Sequence, residues 1–215
     1  MMEITNEAQW LKARLSGIGA SEASAVIGCN PYMSNQELWR IKTKRKKAAD
    51  ISSNPHVAYG HAAEAPIRDL FRLDYPQFEV AYNGAFDMVF SKEYPWLFAA
   101  LDGRLIEKET GRHGILEIKT TEILRSMAKE KWRDGVPQNY YVQLLHQLLA
   151  TGWDFAVLHA QLKRVWDGEI KTERRSYFVE RSDVQDDLDF LLEEEIKFWD
   201  CVKEDREPAL VLPQI

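Results

Sequence analysis

Two short apolar runs, and the charged turn between them, constrain this chain more than any other stretch. Ala99 to Ile106 carries Leu101-Asp102-Gly103-Arg104, and Ile115 to Thr120 lies within Gly114-Ile115-Leu116-Glu117-Ile118-Lys119-Thr120-Thr121. Both runs are apolar and partly β-branched, so they predict strands, and the turn-rich Glu107 to His113 between them predicts a hairpin. Side chains alternate along a strand. Glu117 and Lys119 therefore share one face, about 7 Å apart along the backbone, while Leu116 and Ile118 take the other.

Two carboxylates on adjacent strands make a hard, oxygen-rich site suited to magnesium, which keeps waters and substrate phosphates in its remaining positions. Asp102 and Glu117 are the candidate pair. A metal held there would polarise a phosphoryl oxygen and lower the pKa of a bound water. Lys119 would orient or deprotonate that water, or neutralise charge developing on the phosphorus oxygens. A plainer role also fits, because Glu and Lys two apart suit a solvated strand face and Asp-Gly is a common turn. The apolar Ile115, Leu116 and Ile118 favour a buried strand, where charges are paired or bind metal.

With 215 residues and 45% hydrophobic composition, the chain suits a single domain. A helical part is expected over about 1–75, a sheet core over about 76–180 and an acidic helix over about 182–207. No run of about 18 apolar residues occurs, and Met1 to Glu7 is neither basic nor followed by an apolar segment, so a soluble, cytoplasmic protein is expected. Cys29 and Cys201 match no metal-ligand spacing and give no disulfide framework, which fits a reducing compartment. The net charge of −6 is unevenly placed: 182–207 carries −8, leaving +2 for the remainder. That remainder includes Lys42-Thr43-Lys44-Arg45-Lys46-Lys47, which suits either a solvated helix end or contact with a phosphate backbone.

Taken in order, Thr5 to Leu15 predicts a helix with Trp10 and Leu11 inward and Arg14 one turn after Trp10. Gly17 to Gly28 reads as a tight packing turn feeding a short helix, with Ser21 as N-cap; free N–H groups there would also attract phosphate. Ser34 and Glu37 form a capping box for the next helix. Ala48 to Pro55 predicts a loop. Val57 to Tyr75 predicts a helix, kinked or beginning near Pro66, on which Glu64 could pair with Arg68. Phe78 to Phe90 predicts a hairpin about Asn83-Gly84. Helices are expected over Glu122 to Asp134 and Gln138 to Thr151, strands over Phe155 to Lys163 and Ile170 to Val179 with a turn at Asp167-Gly168, and a final helix from Ser182 whose acids lie mostly outside.

Several pieces recur in a telling order: Trp10 with Arg14, Gly19-Ala20-Ser21-Glu22, Tyr59-Gly60-His61-Ala62-Ala63-Glu64, Leu101-Asp102-Gly103, Leu116-Glu117-Ile118-Lys119 and Tyr140-Tyr141-Val142-Gln143. This arrangement resembles the PD-(D/E)xK nuclease superfamily and, within it, the phage lambda exonuclease family of YqaJ-like viral recombinases. Leu101 replaces the nominal proline. The resemblance implies an α/β, restriction-endonuclease-like core with a central mixed β-sheet flanked by α-helices.

It further implies that Asp102, Glu117 and the backbone carbonyl of Ile118 bind magnesium, with manganese as the alternative. Glu64 would assist a second ion, Lys119 would position and activate the attacking water, and Gln143 and Tyr140 would brace the site. Arg14 and Ser21 would match the family's 5′-phosphate pocket. The implied activity is 5′-to-3′ digestion of one strand at double-stranded DNA ends, leaving a 3′ overhang for a phage single-strand-annealing protein, by a homotrimer ring. A restriction-type endonuclease of the same fold, or a DNA-end-binding module that does not cut, are the alternatives. Two cysteines cannot supply the four ligands of an iron–sulfur cluster, which disfavours the iron–sulfur nucleases of this superfamily.

Overall fold

A computed structural model describes residues 4–122, 132, 135–166 and 169–212. The described elements are α1 (Glu7–Leu15), β1 (Ile18–Gly19), α2 (Ala20–Val26), α3 (Asn35–Lys42), α4 (Pro55–Asp74), β2 (Phe78–Ala81), β3 (Met88–Phe90), β4 (Leu97–Ala100), β5 (Gly103–Glu107), β6 (His113–Glu122), α5 (Gln138–Thr151), β7 (Phe155–Trp166), β8 (Glu169–Glu180) and α6 (Gln185–Lys203). The strands form a five-stranded mixed sheet, ordered β2-β5-β6-β7-β8, and a three-stranded sheet, ordered β1-β4-β3. Within the larger sheet only β6 and β7 run parallel.

Alternation along β6 decides what each face of the large sheet meets. Leu116 and Ile118 pack under α4 with Ile67, Phe71, Phe78 and Val157. Ile115 lies in the cluster built by Leu144 and Leu148 of α5 and Leu188 and Leu191 of α6. The chain is thus a mixed sheet between helices, as the sequence predicts. At Gly114 a Cβ would fall 2.2 Å from the Phe155 ring, so only glycine lets β6 and β7 approach there.

Helix ends follow from local chemistry. Ser34 accepts the Glu37 N–H at the start of α3, but the Glu37 side chain turns to Lys46, so only half of the expected capping box forms. Asn54 caps α4, with Pro55 in its first turn, and α5 ends at left-handed Gly152. Several expectations need correction. Helix α4 does not begin near Pro66: it starts at Pro55 and continues through Pro66, where burial of Ile67 and Phe71 offsets the lost N–H. No residue of α1 is buried, and Leu11 is half exposed.

The hairpin about Asn83-Gly84 does not form: β2 pairs with β5 and β3 with β4, in different sheets. Gly84 does take a positive φ of 101°, but in a crossover between sheets. Likewise Ala99 to Ile106 is two strands broken at Leu101-Asp102, while the β5–β6 hairpin forms as predicted. The basic run is partly neutralised by the acidic C-terminal segment, with Arg45 on Asp205 at 2.6 Å, and Arg40 just before it meets Glu207 at 2.6 Å. The helix expected over Glu122 to Asp134 falls mostly outside the described residues, and Glu122 itself ends β6; the Asp167-Gly168 turn also lies outside them.

Candidate active site

The hairpin sets Gly103 opposite Leu116, which places Asp102, next along the chain, beside Glu117. Because β5 begins only at Gly103, the β6 edge beyond Leu116 has no ladder partner on that side. Asp102 fills the gap: its Oδ2 accepts the Ile118 N–H at 2.8 Å. The Ile118 carbonyl leaves the strand on the same edge as its N–H, toward the same space. Arg68 fixes the backbone of the break by donating to the Asp102 carbonyl at 2.6 Å, its guanidinium lying over the Tyr82 ring.

Glu117 is almost fully buried and held from three sides. Lys119 Nζ and Gln143 Nε2 donate to Oε1 at 2.5 and 2.6 Å, and Gln147 Nε2 donates to Oε2 at 2.5 Å. The Lys119 ammonium lies 5.3 Å from the centre of the Tyr140 ring. Asp102, Glu117 and Lys119 therefore converge, and Gln143 and Tyr140 join them where the resemblance puts them. Gln147 was not singled out, although its spacing of four from Gln143 puts both amides on one helix face.

Electrostatics mark this as a place short of positive charge. Burial, then the neighbouring Glu117, push the Asp102 carboxyl up to about 8, against the opposing pull of Lys119 and the Ile118 N–H. Burial alone would lower the Lys119 ammonium, but Glu117 and Asp102 outweigh it and hold Lys119 above its usual range. Burial also raises the Tyr140 hydroxyl.

These residues fit a hard divalent cation. Among the described residues Asp102 Oδ1 takes no hydrogen bond, while Glu117, with three bonds, keeps one of about four lone-pair positions open. Oxygen donors alone, with room for water, suit magnesium or manganese better than zinc. No group of three His, Cys, Asp or Glu side chains gathers to hold a metal among the described residues. Glu64 in particular stands off: it faces His61 at 3.3 Å, not Arg68, though its charge still acts on Asp102.

Arg14 and Ser21 make no hydrogen bond or ion pair with this cluster among the described residues. Arg14 reaches Glu22 at 3.5 Å and covers the Trp10 ring, while Ser21 is exposed on α2. Glu22 also takes the Gly19 N–H at 2.9 Å and the buried Lys42 ammonium at 2.6 Å. Gly19, and not Ser21, is the N-cap of α2: Ser21 stands inside its first turn, and the Gly19 N–H is bound by Glu22.

Comparison with known proteins places this geometry in context. The family described as "YqaJ-like viral recombinase domain" matches residues 9–154. An uncharacterised protein YqaJ of Bacillus subtilis (strain 168) is 30% identical over 209 residues, covering 94% of this chain. The chain spans 58% of that curated relative's length. Among solved structures, an alkaline exonuclease from Laribacter hongkongensis superposes with a TM-score of 0.66 at 19% identity, covering 93% of this chain and 94% of that one. A phage-related exonuclease from Haemophilus somnus 129PT gives 0.55 at 12% identity, covering 88% and 96%. At such identities the likeness shows the fold.

Proposed function

This chain belongs to the YqaJ-like viral recombinase family, and from that premise we propose that it is a metal-dependent deoxyribonuclease. In this reading it digests one strand of linear duplex DNA from the 5′ end and leaves a 3′ overhang for a phage single-strand-annealing protein. The observation that carries the proposal is the convergence of Asp102, Glu117 and Lys119, with Glu117 clamped by two glutamine amides. A protein that only held DNA ends would have no use for a buried and a half-buried carboxylate side by side next to an ammonium. Support also comes from the structural neighbours, described as exonucleases, one of them crystallised with dAMP.

Asp102, Glu117 and the Ile118 carbonyl would hold magnesium or manganese, with Glu64 near a second ion. Bound there, the metal would polarise the phosphoryl oxygens and acidify a water. Lys119, held by Glu117, would position and activate that water and neutralise charge growing on the phosphate. Gln143 and Gln147 would fix the angle of Glu117. Arg14 and Ser21 would receive the 5′-phosphate. A ring of three copies, acting in the cytoplasm of a bacterial host, belongs to the same proposal.

The test is a gel assay on linear duplex DNA labelled at either end, with magnesium or with chelator. Magnesium-dependent loss of label from 5′ ends is expected. Cleavage of covalently closed circular duplex would point instead to an endonuclease, and binding without cleavage to an end-binding module.

A further inference from the structure

At the end of β6, mostly on the face opposite Lys119 but lined also by Thr121 of the Lys119 face, lies a groove of about 310 Å³ that the mechanism above does not use. Its floor is Thr120 and Glu122 of β6 and Gln161 and Lys163 of β7, register partners across the parallel ladder. Its wall is His56 and Tyr59 from the first turns of α4. The Tyr59 hydroxyl donates to Gln161 Oε1 at 2.7 Å, which fixes the exposed ring, and Lys163 Nζ stands 5.3 Å from that ring's centre. Among the described residues the Lys163 ammonium makes no ion pair, although Glu122 is its register neighbour; His56 lies 3.9 Å from Glu122.

We propose that this groove is a subsite for one unpaired nucleotide of the undigested DNA strand, whose base stacks on Tyr59 and whose phosphate meets Lys163. The proposal rests on the nuclease reading above. An anchored aromatic face with an adjacent unpaired cation is how sequence-tolerant sites hold a single strand. The volume is at the small end of the ~300–1,000 Å³ typical of ligand pockets, a size that suits one nucleotide. Thr120 to Glu122 carry the groove ~3–10 Å along β6 from Lys119. Because Lys119 and Glu117 face α5 whereas the groove faces α4, a nucleotide seated in it is not the one under attack. The end of β6 then divides the two strands, one to each face.

Binding of a fluorescent, 5′-phosphorylated duplex with a short frayed end, measured in calcium at several salt concentrations, tests the assignment. Lys163→Ala and Lys163→Gln are each expected to reduce the slope of log K against log salt by about 0.7, one single-strand phosphate contact. Tyr59→Leu is expected to weaken binding about 5- to 150-fold, the equivalent of ~1–3 kcal/mol for one base stack, while Tyr59→Phe keeps the ring and binds like the parent. An abasic nucleotide placed in the undigested strand at the frayed end should erase the difference between Tyr59→Leu and the parent; the same lesion in the digested strand should not.

Unchanged salt slopes, or a Tyr59→Leu defect blind to the lesion or answering only to the digested strand, would overturn the subsite. Should the parent digest linear duplex with magnesium while these variants bind as it does, the subsite alone fails. A parent that neither binds nor digests linear duplex would overturn the nuclease reading as well.

Discussion

Gln147 donates its side-chain amide to Glu117 at 2.5 Å, and the Oε1 of the same amide is buried with no partner among the described residues. The amide is thus kept despite an unpaired acceptor, as expected if orienting Glu117 outweighs the cost of leaving that acceptor unmet. Gln147→Leu should lower the initial rate of DNA digestion by ~10–100-fold, the usual loss for a residue that orients a metal ligand. Its melting temperature should fall only modestly, because losing the unpaired Oε1 offsets part of the cost of leaving Glu117 Oε2 without its donor. Rate and thermal denaturation, measured together on the same preparation, check this. Gln147→Glu, which faces Glu117 with a second carboxylate, should lose more.

Lys119→Ala should abolish magnesium-dependent release of nucleotides while largely preserving binding of duplex ends. The ammonium acts on charge that develops during hydrolysis, and a removed group of that kind costs turnover more than affinity. Normal turnover by this variant would end the mechanism; fluorescence anisotropy supplies the binding half of the comparison.

The Asp102 carboxyl is raised to about 8 by burial and by Glu117, whereas in the unfolded chain it titrates near ~3.9. A folded-state pKa above the unfolded one stabilises the fold fully below the unfolded value, and that stability is lost as pH rises through the folded value. The metal-free protein should therefore lose stability from this group between about pH 4 and pH 8. Magnesium should restore it on the alkaline side, where the carboxylate is ionised. Melting temperatures across pH 5–9 with and without magnesium, on the parent and Asp102→Asn, decide it: the asparagine variant should lose most of the magnesium response.

Behind the site, His146 and Glu195 are both fully buried. His146 places Nδ1 2.6 Å from Glu195 Oε1 and Nε2 2.9 Å from the Phe98 carbonyl. Burial would lower the His146 pKa, but Glu195 more than offsets it, so the imidazole is held above its usual range. Its contribution is full below the unfolded value of ~6.5 and fades as pH climbs through the folded value. Glu195→Ala should cost about 3–5 kcal/mol by stranding its partner. For a chain of this size that is on the order of 10 °C in melting temperature. The double variant with leucine at both positions should recover much of the loss, which a double-mutant cycle would register.

Arg14 is proposed to meet the 5′-phosphate, yet here it shares Glu22 with Lys42. Arg14→Ala should slow digestion of 5′-phosphorylated ends and leave 5′-hydroxyl ends nearly unaffected. Equal rates on the two substrates for the parent would count against a dedicated pocket.

Much of this was legible in the residues. Period-two alternation in Ile115 to Lys119 reports both the buried strand and the shared face of Glu117 and Lys119, because the strand pleat leaves no other choice. What the chain hid were pairings across distance. Asn83-Gly84 looks like a local hairpin turn, but whether its flanks pair depends on β4 and β5 belonging to different sheets, which no local signal encodes. The buried Glu195 is likewise unreadable among the acids of α6, since its burial depends on His146, 49 positions away in sequence. Gln147 was within reach of periodicity alone, since it repeats Gln143 one turn on.

The chain leaves one sheet after Ala100 and joins the other at Gly103, so the proposed metal-binding aspartate sits in the seam, anchored through its carbonyl by Arg68 and through its carboxylate by the amide of Ile118. A residue inserted or removed in that crossing would rotate the carboxylate away from its partner while leaving both ladders whole. Such a protein would fold, melt cooperatively and be inert, which makes the two-residue joint the most economical place to separate the architecture of this molecule from its chemistry.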